Sequence, residues 1–153
     1  MSEETFTNTN QTSFESERSL GEFLRWRFTR TGPEKIQIET SNQWKQLKKE
    51  SKNYAVWIGH STYLLNNGDL TILTDPVFSK RASPFSLAGP KRLIAPAISL
   101  EELPRIDVVT VSHNHYDHLD IVSLKALYKL NPNASFLVAK GDKDLLIKAG
   151  IKN

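Results

Sequence analysis

The run His113-Asn114-His115-Tyr116-Asp117-His118 places three imidazoles and one carboxylate within six residues, and it holds three of the chain's four histidines. Imidazole and carboxylate are the ligands that Zn²⁺ and similar divalent ions take. The run follows the apolar stretch Val108-Val109-Thr110-Val111. A strand there would deliver the loop to one end of a sheet. Such a loop can fold His113 and His115 around one ion and turn Asp117 and His118 toward a second. A His-rich polar turn is the bland alternative, but helix or strand spacing alone does not require all four residues. The chemistry available to such a centre is hydrolysis. Zn²⁺ lowers the pKa of a bound water from about 15.7 to about 7. At roughly 1.4 kcal/mol per unit this favours hydroxide by on the order of 12 kcal/mol.

The elements that must position these residues are legible in outline. Ala55-Val56-Trp57-Ile58 and Thr62-Tyr63-Leu64-Leu65 read as strands. Asn66-Asn67-Gly68-Asp69 is a turn signal before a third strand, Leu70-Thr71-Ile72-Leu73. Residues 76–96 carry four prolines and no clear period, which predicts a long ordered loop. Asp107 to Ser112 is predicted to be a buried strand. Asp120 is a good N-cap for a helix over 121–130, with Val122, Leu124, Leu127 and Leu130 as its apolar face. Ser135 to Ala139 reads as another strand, and Asp142 as the cap of a helix that stops at Gly150. Upstream, Ser19 could cap a helix over 20–30 that ends at Gly32-Pro33, and a second helix is expected near 41–50.

Composition narrows the options further. The 153 residues suit one ordinary domain and are 39% hydrophobic. There is no cysteine, which rules out disulfides, thiolate metal sites and a cysteine nucleophile. The polar leader 1–17 lacks the apolar core of a secretory signal, and no stretch approaches the roughly 20 apolar residues of a bilayer span. A cytoplasmic or peripheral-membrane protein is the expectation. The net charge of +3 is unevenly placed. Arg25, Arg27 and Arg30 interleave with Phe23, Leu24, Trp26 and Phe28, a pattern that suits either an anionic membrane surface or a helix packing Leu20, Phe23 and Trp26 on the domain. Packing is the favoured reading, and nucleic acid is not an expected partner.

The order His-x-His-x-Asp-His after a buried strand resembles the signature of the metallo-β-lactamase-fold hydrolases. Further segments resemble one branch, the N-acyl-phosphatidylethanolamine-hydrolysing phospholipase D and its bacterial relatives. They are Trp57-Ile58-Gly59-His60-Ser61-Thr62, Leu73-Thr74-Asp75-Pro76-Val77-Phe78, Gly89-Pro90-Lys91-Arg92 and Ser112 through Asp120. The resemblance implies an α/β (α+β) fold, of which this chain supplies the N-terminal half of an αββα sandwich. The expected organisation is a disordered leader at 1–17, a helical extension at 18–53 and a truncated half-domain at 54–153.

By the same resemblance His113 and His115 would hold one Zn²⁺, and Asp117 and His118 a second, with Mn or Fe as alternative metals. Asp117 is also the candidate catalytic carboxylate. Asp75, at a strand end, reads either as an acceptor orienting a ligand histidine or as an Asp-Pro turn residue. His60 and Tyr116 are further candidates for orienting the site or touching substrate. The implied activity is hydrolysis of the phosphodiester of an N-acyl-phosphatidylethanolamine, releasing a phosphatidic acid and an N-acylethanolamine. A lactone, a cyclic phosphodiester or another small ester is the alternative substrate. Phe78, Phe85, Leu87, Leu93 and Ile94 are expected to line an apolar trough for lipid. The family's remaining ligands are a third histidine, a bridging aspartate and a last histidine. They have no counterpart among residues 119–153, so the fragment alone is expected to be inactive.

Overall fold

In the computed structural model the described residues are Ser19, Gly21, Glu22, Arg25, Thr29 and the stretches 38–50, 53–83 and 89–152. The expected leader, the packing of Leu20, Phe23 and Trp26, and the trough residues Phe85 and Leu87 lie outside them. The chain divides into two compact units, Met1–Glu34 and Lys35–Asn153. In the first, Gly21, Glu22, Arg25 and Thr29 are helical. Ser19 Oγ accepts from the Glu22 amide, and Glu22 Oε2 accepts from the Ser19 amide, both at 3.2 Å. This is the reciprocal cap expected of a helix that starts after a serine.

The second unit is built on a five-stranded mixed sheet with strands in chain order: β1 (Tyr54–Gly59), β2 (Thr62–Asn66), β3 (Thr71–Thr74), β4 (Val108–Val111) and β5 (Ser135–Val138). The first three form the expected meander. In its second turn Asn66 Oδ1 accepts from Gly68 N at 2.9 Å, and Asn67 Oδ1 accepts from Leu70 N at 2.8 Å. Gly68 takes φ +93°, a region that costs glycine little. β3 and β4 then run parallel, as do β4 and β5. Parallel neighbours need a crossover. The first crossover is the long loop after Asp75, and the second is helix α2 (Ile121–Leu130), preceded in the chain by α1 (Gln43–Lys49) and followed by α3 (Lys143–Lys148). Among the described residues no helix is long and apolar enough to cross a membrane.

Alternation along the strands decides which face is buried. Ile58, Leu64, Leu73, Val109 and Phe136 point to one side and pack with Trp44 of α1, Leu124 and Leu127 of α2 and Leu146 of α3. On the other face, the register Trp57–Tyr63–Thr74–Thr110–Leu137 leaves Trp57, Tyr63 and Leu137 partly exposed. The apolar face of α2 differs from expectation. Leu124 and Leu127 are fully buried and are joined by Ile121 and Tyr128, whereas Val122 and Leu130 are exposed. The helix turns its 121-124-127-128 stripe inward, so the apolar residues on either side of it face solvent. Leu124→Ala should therefore destabilise the domain by about 2–5 kcal/mol, while Val122→Ala should stay within about 0.5 kcal/mol. Urea denaturation of the two variants checks this, and equal losses would contradict the assignment of the buried stripe.

The caps also divide. Asp120 accepts from Val122 N at 3.2 Å and Ser123 N at 3.4 Å, as a cap should. Its other oxygen takes Ser79 N at 3.0 Å and Ser123 Oγ at 2.6 Å, so the cap also ties down the loop after β3. Asp142 precedes α3 but makes no side-chain cap bond. Its carboxylate is used elsewhere.

Candidate metal centre

β1 is antiparallel to β2, which is antiparallel to β3, while β3, β4 and β5 are parallel. The carboxyl ends of β1, β3, β4 and β5 therefore share one edge of the sheet. His60 follows β1, Asp75 follows β3, the motif follows β4, and Asp142 follows β5. In open α/β sheets this edge is where ligands bind. Residues up to 82 positions apart are brought together by strand direction alone.

Two of these residues hold unusual backbone. His60 has φ 52° and Asp75 φ 38°, the two non-glycine positive values in the described chain. Such conformations cost about 1–3 kcal/mol and concentrate at functional sites. At Asp75 the conformation is fixed by Asp75 N donating to Thr110 O at 2.8 Å. At His60 the two-residue link between Gly59 and Thr62 is held by Trp57 Nε1, which donates to His60 O at 2.8 Å.

Asp75 is a hub. Its Oδ1 accepts from Ser112 N at 2.7 Å, and its Oδ2 lies 2.9 Å from both Ser112 Oγ and His118 Nδ1. Burial pushes the carboxyl up, but the hydrogen bonds from His118 and Ser112 outweigh it and hold the group below the ordinary carboxylate range. Asp75 is thus an anion at neutral pH and can only accept. The proton between it and His118 sits on Nδ1, which leaves His118 Nε2 with a free lone pair. Ser112 extends the same logic. Its one hydroxyl proton goes to Asp75, so its oxygen accepts from His113 Nδ1 at 3.0 Å. That frees His113 Nε2 as well. Histidines that bind metals are oriented in this way, through the second ring nitrogen.

The donor atoms converge. His118 Nε2 lies 3.8 Å from Asp117 Oδ2, and His60 Nε2 lies 3.1 Å from the same oxygen. One donor atom from each of His60, Asp117 and His118 falls within 4.8 Å of the others. Around a tetrahedral zinc with bonds near 2.0–2.1 Å, donors are separated by roughly 3.4 Å, so 3.8 Å between His118 and Asp117 fits a shared ion. The rings of His113 and His115 are 4.6 Å apart, and those of His113 and His118 4.0 Å. Among the described residues, the donor set within reach of one ion is His60, Asp117 and His118, and the rings of His113 and His115 pack beside it. The sequence placed His113 with His115 and Asp117 with His118. The structure groups the donor atoms of Asp117 and His118 with His60 and sets the rings of His113 and His115 beside them.

The role of Ser112 escaped the sequence reading: only its position before the motif marked it, yet its hydroxyl lies 3.0 Å from His113 Nδ1 and 3.3 Å from His118 Nδ1. Asn114 Nδ2 donates to Asp142 Oδ1 at 3.0 Å, so the expected helix cap instead anchors the motif loop to the end of β5. A cavity of about 1480 Å³ opens beside the motif, lined by His60, His115, Tyr116 and Asp117 and by Leu93 and Ile94 of the long loop. Phe78, expected in the trough, instead packs against the core. Its amide donates to Ser123 Oγ at 2.9 Å, which pulls the residue inward. Arg92 is half-buried and gives its donors to the carbonyls of Val77 and Ser79, closing the loop rather than reaching outward. Lys91 remains exposed at the cavity wall.

Residues 55–150 match the model of the beta-lactamase superfamily domain. The chain is 44% identical over 102 residues to N-acyl-phosphatidylethanolamine-hydrolyzing phospholipase D 1 of Caenorhabditis elegans, covering 67% of this chain and 29% of that protein. It is 40% identical over 101 residues to a mitochondrial N-acyl-phosphatidylethanolamine-hydrolyzing phospholipase D of Saccharomyces cerevisiae, covering 65% of this chain and 21% of the yeast protein. A metal-dependent hydrolase of Pyrobaculum islandicum is 36% identical over 63 residues, 41% of this chain and 23% of its own length. The chain thus spans less than a third of each of these relatives. The matched segment runs from β1 through the end of α3, and its sheet and helices are those of the N-terminal half of a metallo-β-lactamase fold. On sequence and architecture together, the chain belongs to the beta-lactamase superfamily of metal-dependent hydrolases.

Proposed function

We propose that the protein hydrolyses the phosphodiester of an N-acyl-phosphatidylethanolamine, with two Zn²⁺ ions held in part by His113, His115, Asp117 and His118. The observation that carries this reading is the oriented histidine–carboxylate cluster opening onto a cavity larger than the roughly 300–1,000 Å³ of ordinary small-molecule pockets. The names of the worm and yeast relatives support the substrate class. When bound, a divalent cation supplies positive charge for the phosphate anion and ionises water at neutral pH.

The chain's own residues do the rest. Asp75 and Ser112 keep the ε-nitrogens of His118 and His113 unprotonated and aimed at the cluster. The tie from Asn114 to Asp142 fixes the loop that carries Asp117. Leu93 and Ile94 offer apolar surface to an acyl chain, and Lys91 offers a cation at the rim for an anionic headgroup. In the reaction a water oxygen bonds to phosphorus, and the P–O bond to the N-acylethanolamine breaks. The leaving alkoxide takes up a proton, and the phosphate stays on the diacylglycerol.

The test is to incubate full-length protein with N-acyl-phosphatidylethanolamine in mixed micelles and follow both products by mass spectrometry, alongside elemental analysis. N-acylethanolamine and phosphatidic acid in equal amounts, about two zinc ions per chain and loss of turnover with chelator are expected. Turnover of a lactone or cyclic phosphodiester, with the lipid untouched, would move the substrate elsewhere in the superfamily. Manganese or iron in the purified protein would reassign the metal.

A further inference from the structure

The structure assigns His60 a positioning role: it donates from Nε2–H to Asp117 and so aims that carboxylate at the ion it shares with His118. The inference rests on the metal-dependent reading above.

Its basis is a contrast between two histidines that face the same oxygen. His118 and His60 approach Asp117 Oδ2 with Nε2 at 3.8 and 3.1 Å. The Nδ1 of His118 is committed as a donor to Asp75, which makes its Nε2 a lone-pair donor suited to a metal. Among the described residues, no acceptor is placed against His60 Nδ1 that would fix its proton there. A carboxylate at 3.1 Å holds a proton on Nε2 instead, because an anionic oxygen only accepts. His60 is therefore arranged to hydrogen-bond a ligand and His118 to be one. Asp117 has two oxygens and about four lone-pair sites, so it can accept from His60 and still bind a cation.

The placement of His60 is built into the fold. Nothing in the β1–β2 connection requires histidine: Asn and Gly suit a left-handed residue in a two-residue hairpin better. Histidine at φ 52° carries a conformational cost, and the Trp57 Nε1 bond to its carbonyl holds it there. The strain is accepted where the ring reaches a carboxylate 57 positions away.

The experiment compares full-length wild type, His60→Gln and His60→Ala in zinc titrations against a competing chelator, with circular dichroism to check the fold. Gln places an amide nitrogen close to the position of Nε2 and can donate to Asp117, but it lacks the imidazole lone pair. The expected result is that His60→Ala weakens the looser of two ions by roughly 10–100-fold, while His60→Gln stays within about threefold of wild type. Equal weakening by Gln and Ala would overturn the proposal, since it would make His60 itself a metal ligand. Unchanged affinity in His60→Ala would overturn it too, as a contact without consequence. Wild type that binds no ion would instead sink the metal-dependent reading, and the inference with it.

Discussion

Replacing Asp75 with Ala is expected to weaken both the metal centre and the fold, although Asp75 need never touch a metal. Three donors lose their acceptor at once: Ser112 N, Ser112 Oγ and His118 Nδ1, now at 2.7, 2.9 and 2.9 Å. Asp75 is only 7% exposed, so water does not replace it freely. A buried donor left unpaired costs about 1–3 kcal/mol, and some relaxation will occur. A loss on the order of 3 kcal/mol in the metal-free protein is expected. His118 then loses the partner that keeps its proton on Nδ1, and His113 loses the indirect support passed through Ser112. Removing such an orienting group typically weakens metal binding by about 10–100-fold. Asp75→Asn should not rescue it. Its amide nitrogen would replace one of two oxygens that each face a donor. Urea denaturation without metal and zinc titration of the folded variant measure the two effects separately. A variant with wild-type zinc affinity would show that the hydrogen bonds to Asp75 do not orient the centre.

The strands themselves and the meander of the first three were readable because apolar runs and turn chemistry agree. Asn66 and Asn67 make the side-chain bonds that such a turn signal promises, and Val108–Val111 is an apolar run short enough to be a strand. The motif was readable because four ligand-type side chains in six residues have few other uses. The edge of the sheet where those residues meet was harder to foresee, because strand direction brings Asp75 and His60 there and local sequence does not encode direction. The inward stripe of α2 was misjudged for a different reason, because apolar type was counted ahead of spacing. Val122 and Leu124 are two positions apart, about 200° round a helix, so they cannot share one buried face, whereas Ile121, Leu124, Leu127 and Tyr128 lie within about 120°. The bonds of Ser123 Oγ to Asp120 and to the Phe78 amide hold that rotation. Asp142 illustrates the remaining limit. An aspartate before a helix looks like a cap from sequence, and its competing partner Asn114 is 28 residues away.

Asp117→Ala is expected to have the opposite profile to Asp75→Ala: little effect on stability and a very large one on function. Asp117 is half-exposed, and its partners are the two ring nitrogens of His60 and His118. No buried backbone group depends on it, so the metal-free fold should change by no more than about 0.5 kcal/mol. The metal-bound state is different. The carboxylate is the only anion in the motif, and no neutral water supplies its charge at the same point. Without it one of the two ions should be lost on purification. Metal centres contribute several kcal/mol of charge stabilisation to such reactions, and each 1.36 kcal/mol is a factor of ten in rate. Turnover of the proposed phosphodiester substrate should therefore fall about a thousandfold or more. Asp117→Asn separates charge from shape, since it keeps one oxygen and most of the volume. If charge decides, Asn should be nearly as inactive as Ala and should also bind about one ion. Two ions per chain together with more than a tenth of wild-type turnover in either variant would remove Asp117 from the centre. The burden of catalysis would then fall on the imidazoles alone.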